Sequence, residues 1–260
     1  MRITIHQSYF IPWLGYFSKL AFSDAFVVLD DVHFRKRHYF DRTRMVNMHG
    51  EIRWLSLPVG QNLGKVCHEV NVRVPGKSYV DKIIRNIELS YAKARWYDVE
   101  WRGLRDAVQR PLLESRNLVD INVAIIKNIV ELVGMKMPDI HLCSDLVGPC
   151  DDSTERIVRI CDVLGAAGVV IGAGMSLAVH DWRRIAEEGV DLYIQDYLAR
   201  HPVYEQSRRK RAGFQPGLSI IDAILNVGRD QTRSLIVDDI HRPVPASVTL
   251  PLCGEESTDG

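Results

Sequence analysis

The runs FVVLD (26–30) and GVVIG (168–172) are apolar at consecutive positions instead of alternating. Only a strand covered on both faces needs that pattern. Each run also sits at βαβ spacing. Arg2 to His6 reads as a strand, and Pro12 is well placed for the first turn of a helix reaching about Ser23, before FVVLD follows. In the second half DIHLCS, GVVIG and VDLYIQ read as strands. They are separated by the helical patterns STERIVRICDVLG, which stops on Gly165, and HDWRRIAEEG. Strands joined through helices run parallel, with right-handed crossovers. The expected fold is therefore α/β: a mostly parallel, doubly wound Rossmann-like sheet with a helical insertion.

The 260 residues are expected to form a single domain, with residues 78–135 as a helical insertion or lid that Pro111 interrupts. IRWLSLPVG and VCHEVNVRV alternate like strands around a Gly-rich turn, whereas residues 31–50 are too charged for core. PGLSIIDAILNVG predicts a further helix, and residues 241–260 an extended tail. An apolar share of 46% builds a core without disulfide or metal staples. Lys+Arg and Asp+Glu balance at 33 each, which argues against a dedicated nucleic-acid binder. The five cysteines are scattered without a C-x-x-C pair, as for reduced thiols. No apolar run approaches the roughly 18 residues of a membrane span, and the first residues run directly into strand. A cytoplasmic protein with no membrane partner is expected.

Ligands of doubly wound sheets bind beyond the carboxyl ends of the strands. That edge should collect His6 and Gln7, Asp30 and Asp31, Ser144, Gly172 and Gly174, and Gln195 with Tyr197. The first loop, HQSYFIPWLGYF, adds Tyr9, Trp13 and Tyr16, more aromatic surface than a tight turn requires. His6 is the best candidate for proton transfer because imidazole titrates near neutrality. Asp30 or Asp31 would orient it, the other pointing to the opposite face. In the basic stretch FRKRHYFDRTR, Lys36 and Arg42 are candidates for holding phosphate or carboxylate. His201, Tyr204 and Gln206 precede a second basic run at 208–211, and together these read as a flap closing over an anionic donor. Two basic loops suit a nucleotide sugar, coenzyme A, an acidic carrier protein or an RNA acceptor stem. The GAGMS turn is weak as a dinucleotide signal but could turn backbone N–H groups toward a ligand. Metal-ligand spacings are missing, so neither a metal nor an organic cofactor is implied. Among the thiols only Cys143, at a strand end, merits a test.

Four stretches together resemble the WbqC-like protein family across nearly the whole chain. They are HQSYFIPWLGYFSKLAFSDAFVVLDDVHF with the later RTR, RWLSLPV, STERIVRICDVLGA with the GAG turn, and YIQDYLARHPVYEQ with FQPGLSIIDAILNVG. The chain departs from the family pattern at Ser8, where proline is usual. It departs also in AGMSLAVHD, where a Gly-rich turn with Lys and Tyr is usual, and in AILN, where Leu-Leu-Phe-Asn is usual. The resemblance implies a transferase placing an acyl or aminoacyl group on an amine, in surface-polysaccharide or natural-product biosynthesis. The expectation is a metal-independent enzyme forming an amide. Its acceptor would be an amino-sugar nucleotide or natural-product intermediate, and its donor would be carried on a carrier protein, coenzyme A or tRNA. His6 would be the base, and backbone N–H groups near Gly172 and Gly174 would receive the oxyanion. Two alternatives stand beside it. One is a nucleotidyltransferase-like enzyme, although only His6 of a His-x-x-His loop is present. The other is a non-catalytic binding subunit.

Overall fold

The computed structural model describes residues 1–60, 62, 64–73, 76–174, 176–207 and 213–246. β1 (Arg2–His6), α1 (Leu14–Ala21) and β2 (Ala25–Val28) form the opening βαβ unit. A hairpin of β3 (Arg42–Val46) and β4 (Ile52–Ser56) follows, and then helices α2 (Lys77–Tyr91), α3 (Tyr97–Glu114) and α4 (Leu118–Leu132). Alternation resumes with β5 (Asp139–Leu142), α5 (Cys143–Leu146), α6 (Ser153–Leu164) and β6 (Gly168–Gly172). It continues through α7 (Ser176–Val179), α8 (Trp182–Glu187) and β7 (Asp191–Gln195). The helix α9 (Ile220–Val237) and the short β8 (Val244–Pro245) close the fold.

The six-stranded sheet has the order β5-β2-β1-β6-β7-β8, parallel except at β8. Period-two alternation sorts its two faces. Ile3, Val27, Val169 and Ile171 pack with Ile157, Ile160 and Ile185 of α6 and α8. Phe26 and Val28 join a larger core with α1, α2, α3, α4 and α9, in which Ile87, Leu104, Ile121, Ile125 and Ile126 are buried. The chain is thus α/β and doubly wound. Among the described residues no helix is long and apolar enough to cross a membrane.

Five local expectations change. β3 lies in the stretch expected to be too charged for core. Its polar side chains alternate with buried Thr43 and Met45, so one face of the hairpin is core. VCHEVNVRV is not a strand. Cys67 and His68 donate their N–H groups to Val32 and Asp30, and Val72 to Arg116, so its backbone ties separate loops together. Pro111 sits inside α3. It cannot donate to the Ala107 carbonyl four residues back, and the Asn128 side-chain amide does so instead, at 3.1 Å. The last helix runs past Gly228, which kinks it at φ 82°, ψ 162°, a region essentially confined to glycine. The tail is paired at its start, where β8 runs antiparallel to β7. The basic run at 208–211 and residues 247–260 lie outside the described residues.

Candidate functional site

The sheet order places a topological switch between β1 and β6. From β1 the chain moves outward to β2, whereas from β6 it moves the other way to β7. The loops leaving the two central strands therefore diverge, and a crevice opens between them at their carboxyl ends. One wall is the loop after His6, and the other is the turn after Gly172.

The first loop is held from several directions. Its Gln7 carbonyl accepts from Tyr16 Oη at 2.9 Å, and its Ser8 carbonyl accepts from Asn122 Nδ2 at 2.9 Å. The Ile11 carbonyl accepts from both Thr43 Oγ1 and Ser219 Oγ, and the Pro12 carbonyl accepts from the Ile220 N–H. Phe10 N–H donates to Tyr39 O at 2.9 Å. These ties fix Ile11, a fully buried β-branched residue, at φ 45°. Such a residue in the left-handed region is strained by about 1–2 kcal/mol, and the surrounding bonds hold it there. Asn122 comes from α4, so the helical middle of the chain serves this loop directly.

His6 lies partly open inside the wall. Its ring packs edge-on against Tyr9 (4.6 Å between centroids) and Tyr16 (5.1 Å). Nδ1 donates to the Gln7 carbonyl at 2.9 Å, so the lone pair belongs to Nε2. Burial and then the Lys19 charge hold His6 well below the usual imidazole range, against an opposing effect of the Gln7 carbonyl, with a still smaller contribution from the His38 charge. The imidazole is neutral at pH 7, and its basic nitrogen has no hydrogen-bond partner among the described residues.

Lys19 is the residue that the sequence reasoning missed. It projects from the last turn of α1, and its Nζ stands 5.8 Å from the Tyr16 ring centroid. Among the described residues it has no hydrogen-bond or ion-pair partner, and burial lowers it to about 8. The signal was legible in principle: one lysine in the apolar run LGYFSKLA, one turn after Tyr16 and so on the same helix face. Two further residues, Tyr39 and Trp54, went unremarked. Tyr9 stacks on Tyr39 (5.3 Å), Tyr39 meets Trp54 edge-on (5.3 Å), and the Arg42 guanidinium covers Trp54 at 3.9 Å. This aromatic row leads from His6 to a groove of about 310 Å³ between the hairpin and α2, lined by Met45, Met48, Trp54 and Leu89. Of the basic segment, Arg42 is thus part of the row, whereas Lys36 is exposed.

On the opposite wall, Gly172 and Gly174 have ordinary φ values, and a Cβ at either would meet only open space. Neither backbone nor packing demands glycine there, which leaves room for a ligand to approach the main chain. Gln7 keeps its side-chain amide free of hydrogen bonds among the described residues.

The remaining candidates are placed elsewhere. Neither Asp30 nor Asp31 bonds to His6. The Asp30 carboxylate is buried and accepts from Ser144 N–H (2.9 Å) and Oγ (2.6 Å), capping α5, with His68 Nδ1 at 3.7 Å. Asp31 faces the other side of the sheet, 3.3 Å from Arg156 Nε. Both carboxylates lie beyond the end of β2 at Val28, where the start of α5 captures Asp30 and Arg156 of α6 meets Asp31. Cys143 is buried, and burial beside Asp31 pushes its thiol up to about 12, far from a nucleophilic thiolate.

The expected flap is anchored up to Ser207 by buried side chains at Tyr197, Tyr204 and Gln206, although Leu198 and Val203 between them are exposed. Gln195 Nε2 donates to Ser18 Oγ and to the His241 carbonyl, and Tyr197 Oη donates to Leu235 O. Tyr204 Oη donates to Asp222, and Gln206 Nε2 donates to the Gln215 carbonyl. His201 donates from Nδ1 to Pro202 O and accepts the Gly217 N–H at Nε2, so both ring nitrogens are committed. Gln195, Tyr197 and Tyr204 fasten the segment to α1, α9 and the tail, and His201 and Gln206 fasten it to the loop before α9. Trp13 belongs with them, meeting Tyr197 edge-on and stacking on His201; a Cβ at Gly15 would run into its ring. No group of three His, Cys, Asp or Glu placed to hold a metal ion occurs among the described residues.

The profile of the WbqC-like protein family matches residues 7–234. The chain is also 27% identical over 237 residues to the uncharacterized protein Rv1507c of Mycobacterium tuberculosis, covering 88% of this chain and 95% of that one. No solved structure matches it.

Proposed function

The chain belongs to the WbqC-like protein family, and from that premise we propose that the crevice between β1 and β6 is the active site of a group-transfer enzyme. In this reading it forms an amide by moving an acyl or aminoacyl group from an activated donor to an amine. The observation carrying the proposal is His6. It is a neutral imidazole at the switch point, its tautomer set by the Gln7 carbonyl and its Nε2 without a hydrogen-bond partner among the described residues. A base of this kind can take the proton of an attacking amine without first losing one of its own. The donor is a carrier-protein or coenzyme thioester, or aminoacyl-tRNA. The acceptor is an amino-sugar nucleotide or a natural-product amine.

The surroundings support this reading. The strained, heavily bonded loop holds the imidazole without reorganisation, which favours positioning over induced rearrangement. The row Tyr9–Tyr39–Trp54 offers flat surfaces for a planar donor or acceptor moiety. The open backbone at Gly172–Gly174 leaves space for a developing oxyanion. With no carboxylate bonded to His6, imidazolium formed during the reaction must be relieved by fast proton return to the leaving group.

The test is a mass-spectrometric screen of acyl-carrier, acyl-coenzyme and aminoacyl-tRNA donors against amino-sugar nucleotides, with wild type and His6→Ala compared on any productive pair. A loss of about 10² to 10⁴ in turnover is expected for the variant. Wild-type turnover in His6→Ala removes the base assignment. A second reading, nucleotidyl transfer, draws on the switch-point position, where nucleotides bind in such sheets. Pyrophosphate release from ATP or CTP would favour it.

A further inference from the structure

We propose that Lys19 is the anion-binding residue of this crevice, and that the amine substrate is itself anionic, with its carboxylate or phosphate on Lys19 Nζ and its amine at His6 Nε2. The substrate identity rests on the amine-transfer reading above; the anion site does not.

Four observations converge on it. Lys19 and His6 flank the same ring, Tyr16, with Nζ at 5.8 Å and the imidazole at 5.1 Å from its centroid. The two are also close enough for the Lys19 charge to act on His6. Among the described residues the charged and titratable groups acting on this pair are His6, Lys19, Tyr9, Tyr16 and His38, with no carboxylate among them. Nearby acids are used elsewhere: Asp30 on Ser144, Asp31 by Arg156, and Asp41 on the His38 N–H. An ammonium partly buried without a counter-ion is costly, and proteins normally pair such a group or place it in water. The cation–π contact with Tyr16 supplies part of the compensation. What is missing is an anion, and a ligand entering the crevice would provide it. Burial that lowers Lys19 to about 8 fits the same picture, since a bound oxyanion would hold the ammonium charged.

The arrangement also separates the two roles by charge. The positive Lys19 helps keep His6 neutral in the empty site. Once an anion sits on Lys19, that repulsion is cancelled and His6 becomes more basic when the amine proton must be removed.

The experiment is binding and titration on the intact protein. Lysines are converted to [13C]dimethyl-lysine, and the Lys19 resonance is assigned by its absence in Lys19→Arg. Its midpoint is then followed without ligand and with inorganic phosphate, pyrophosphate or malonate. The expected result is a midpoint near 8 in the free protein, rising by about one pH unit or more with at least one oxyanion. Phosphate and malonate arms distinguish a phosphate-bearing from a carboxylate-bearing substrate. Lys19→Met should weaken binding of that oxyanion at least about tenfold, the loss of one charge-assisted contact, and Lys19→Arg should retain most of it. An ordinary lysine midpoint in the free protein, or a low midpoint that no oxyanion moves, overturns the proposal. His6→Ala should still bind the oxyanion. If oxyanion binding survives in a protein whose turnover ignores His6, the transfer reading fails while the anion site stands.

Discussion

Replacing Lys19 with methionine should make the protein more stable at neutral pH. In the folded state the ammonium has no ion-pair partner among the described residues, and its pKa falls from 10.5 to about 8. Below about 8 lysine is charged in both states and the folded protein carries the full cost of burying it. Between about 8 and 10.5 the unfolded chain binds the proton that the folded chain has released, so stability rises with pH through this window. Above it both forms are neutral and the cost is gone. At about 1.4 kcal/mol per pH unit the displacement amounts to about 3 kcal/mol. The cation–π contact with Tyr16 is part of the environment lost on mutation and is worth about 0.5–1 kcal/mol. Methionine occupies much of the volume of the lysine stem, so little cavity is created. The net gain expected for Lys19→Met is about 2 kcal/mol at neutral pH, shrinking toward zero above about pH 10. Urea unfolding of both proteins at three pH values measures it, with unchanged m as the check that the denatured state is comparable. A variant equally or less stable at neutral pH, or a gap that does not shrink with rising pH, would refute the reasoning.

The lowered pKa of His6 has a kinetic counterpart: the acid limb of kcat/KM should lie below the ordinary imidazole value of 6.5, because the base stays neutral to lower pH. An acid limb above 6.5 would contradict it. Ser8 is fully buried, and its hydroxyl has no partner. Ser8→Pro, the residue usual in the family pattern, should raise Tm by about 2–4 °C through loss of an orphaned polar group and a less flexible unfolded chain; scanning calorimetry would show a lower Tm if the loop rejects proline. Asn128→Ala should cost about 1–2 kcal/mol by leaving the buried Ala107 carbonyl unpaired. In a Pro111→Ala background the helix can bond that carbonyl itself, so the same substitution should cost clearly less, and equal costs in both backgrounds would show that Pro111 is irrelevant.

Much of the fold was legible because burial on both faces leaves an unambiguous mark. FVVLD and GVVIG became the interior strands β2 and β6, and helices stopped where Gly165 and Gly189 adopt positive φ. The failures share a physical form. The charged stretch around Arg42 holds β3 because a half-buried hairpin needs apolar groups only at alternate positions. VCHEVNVRV has strand-like alternation, but its N–H groups found loop carbonyls first. Period alone cannot tell which backbone partner wins. Site residues divided along the same line. His6, Gln7, Tyr9 and Tyr16 converge because they leave one strand end together. Strand-end position predicted less well for Asp30 and Gln195, whose side chains are used by the nearest helix start and by α1.

Buried side-chain atoms without a hydrogen bond also occur at Arg156, His180 and Asp222, but three unfavourable features fall together. Ile11 is a β-branched residue at positive φ before a proline, Lys19 is a partly buried cation without an anion, and Ser8 is a buried hydroxyl without a partner. All three lie on or beside one loop, and the bonds that offset them come from afar: Thr43 in the hairpin, Asn122 in α4, and Ser219 and Ile220 at the start of α9. A chain selected only to fold would relax such a loop, since each feature can be removed by a single substitution. A chain that must hold His6 and Lys19 on either side of Tyr16 has reason to keep it, because strain concentrated at one strand edge and supported by the rest of the fold is how a site is kept preorganised. The helical middle of the chain is then more than a cover for the sheet: through Asn122 it fixes the loop that presents His6. An Asn122→Leu substitution should accordingly impair turnover more than its effect on Tm would suggest.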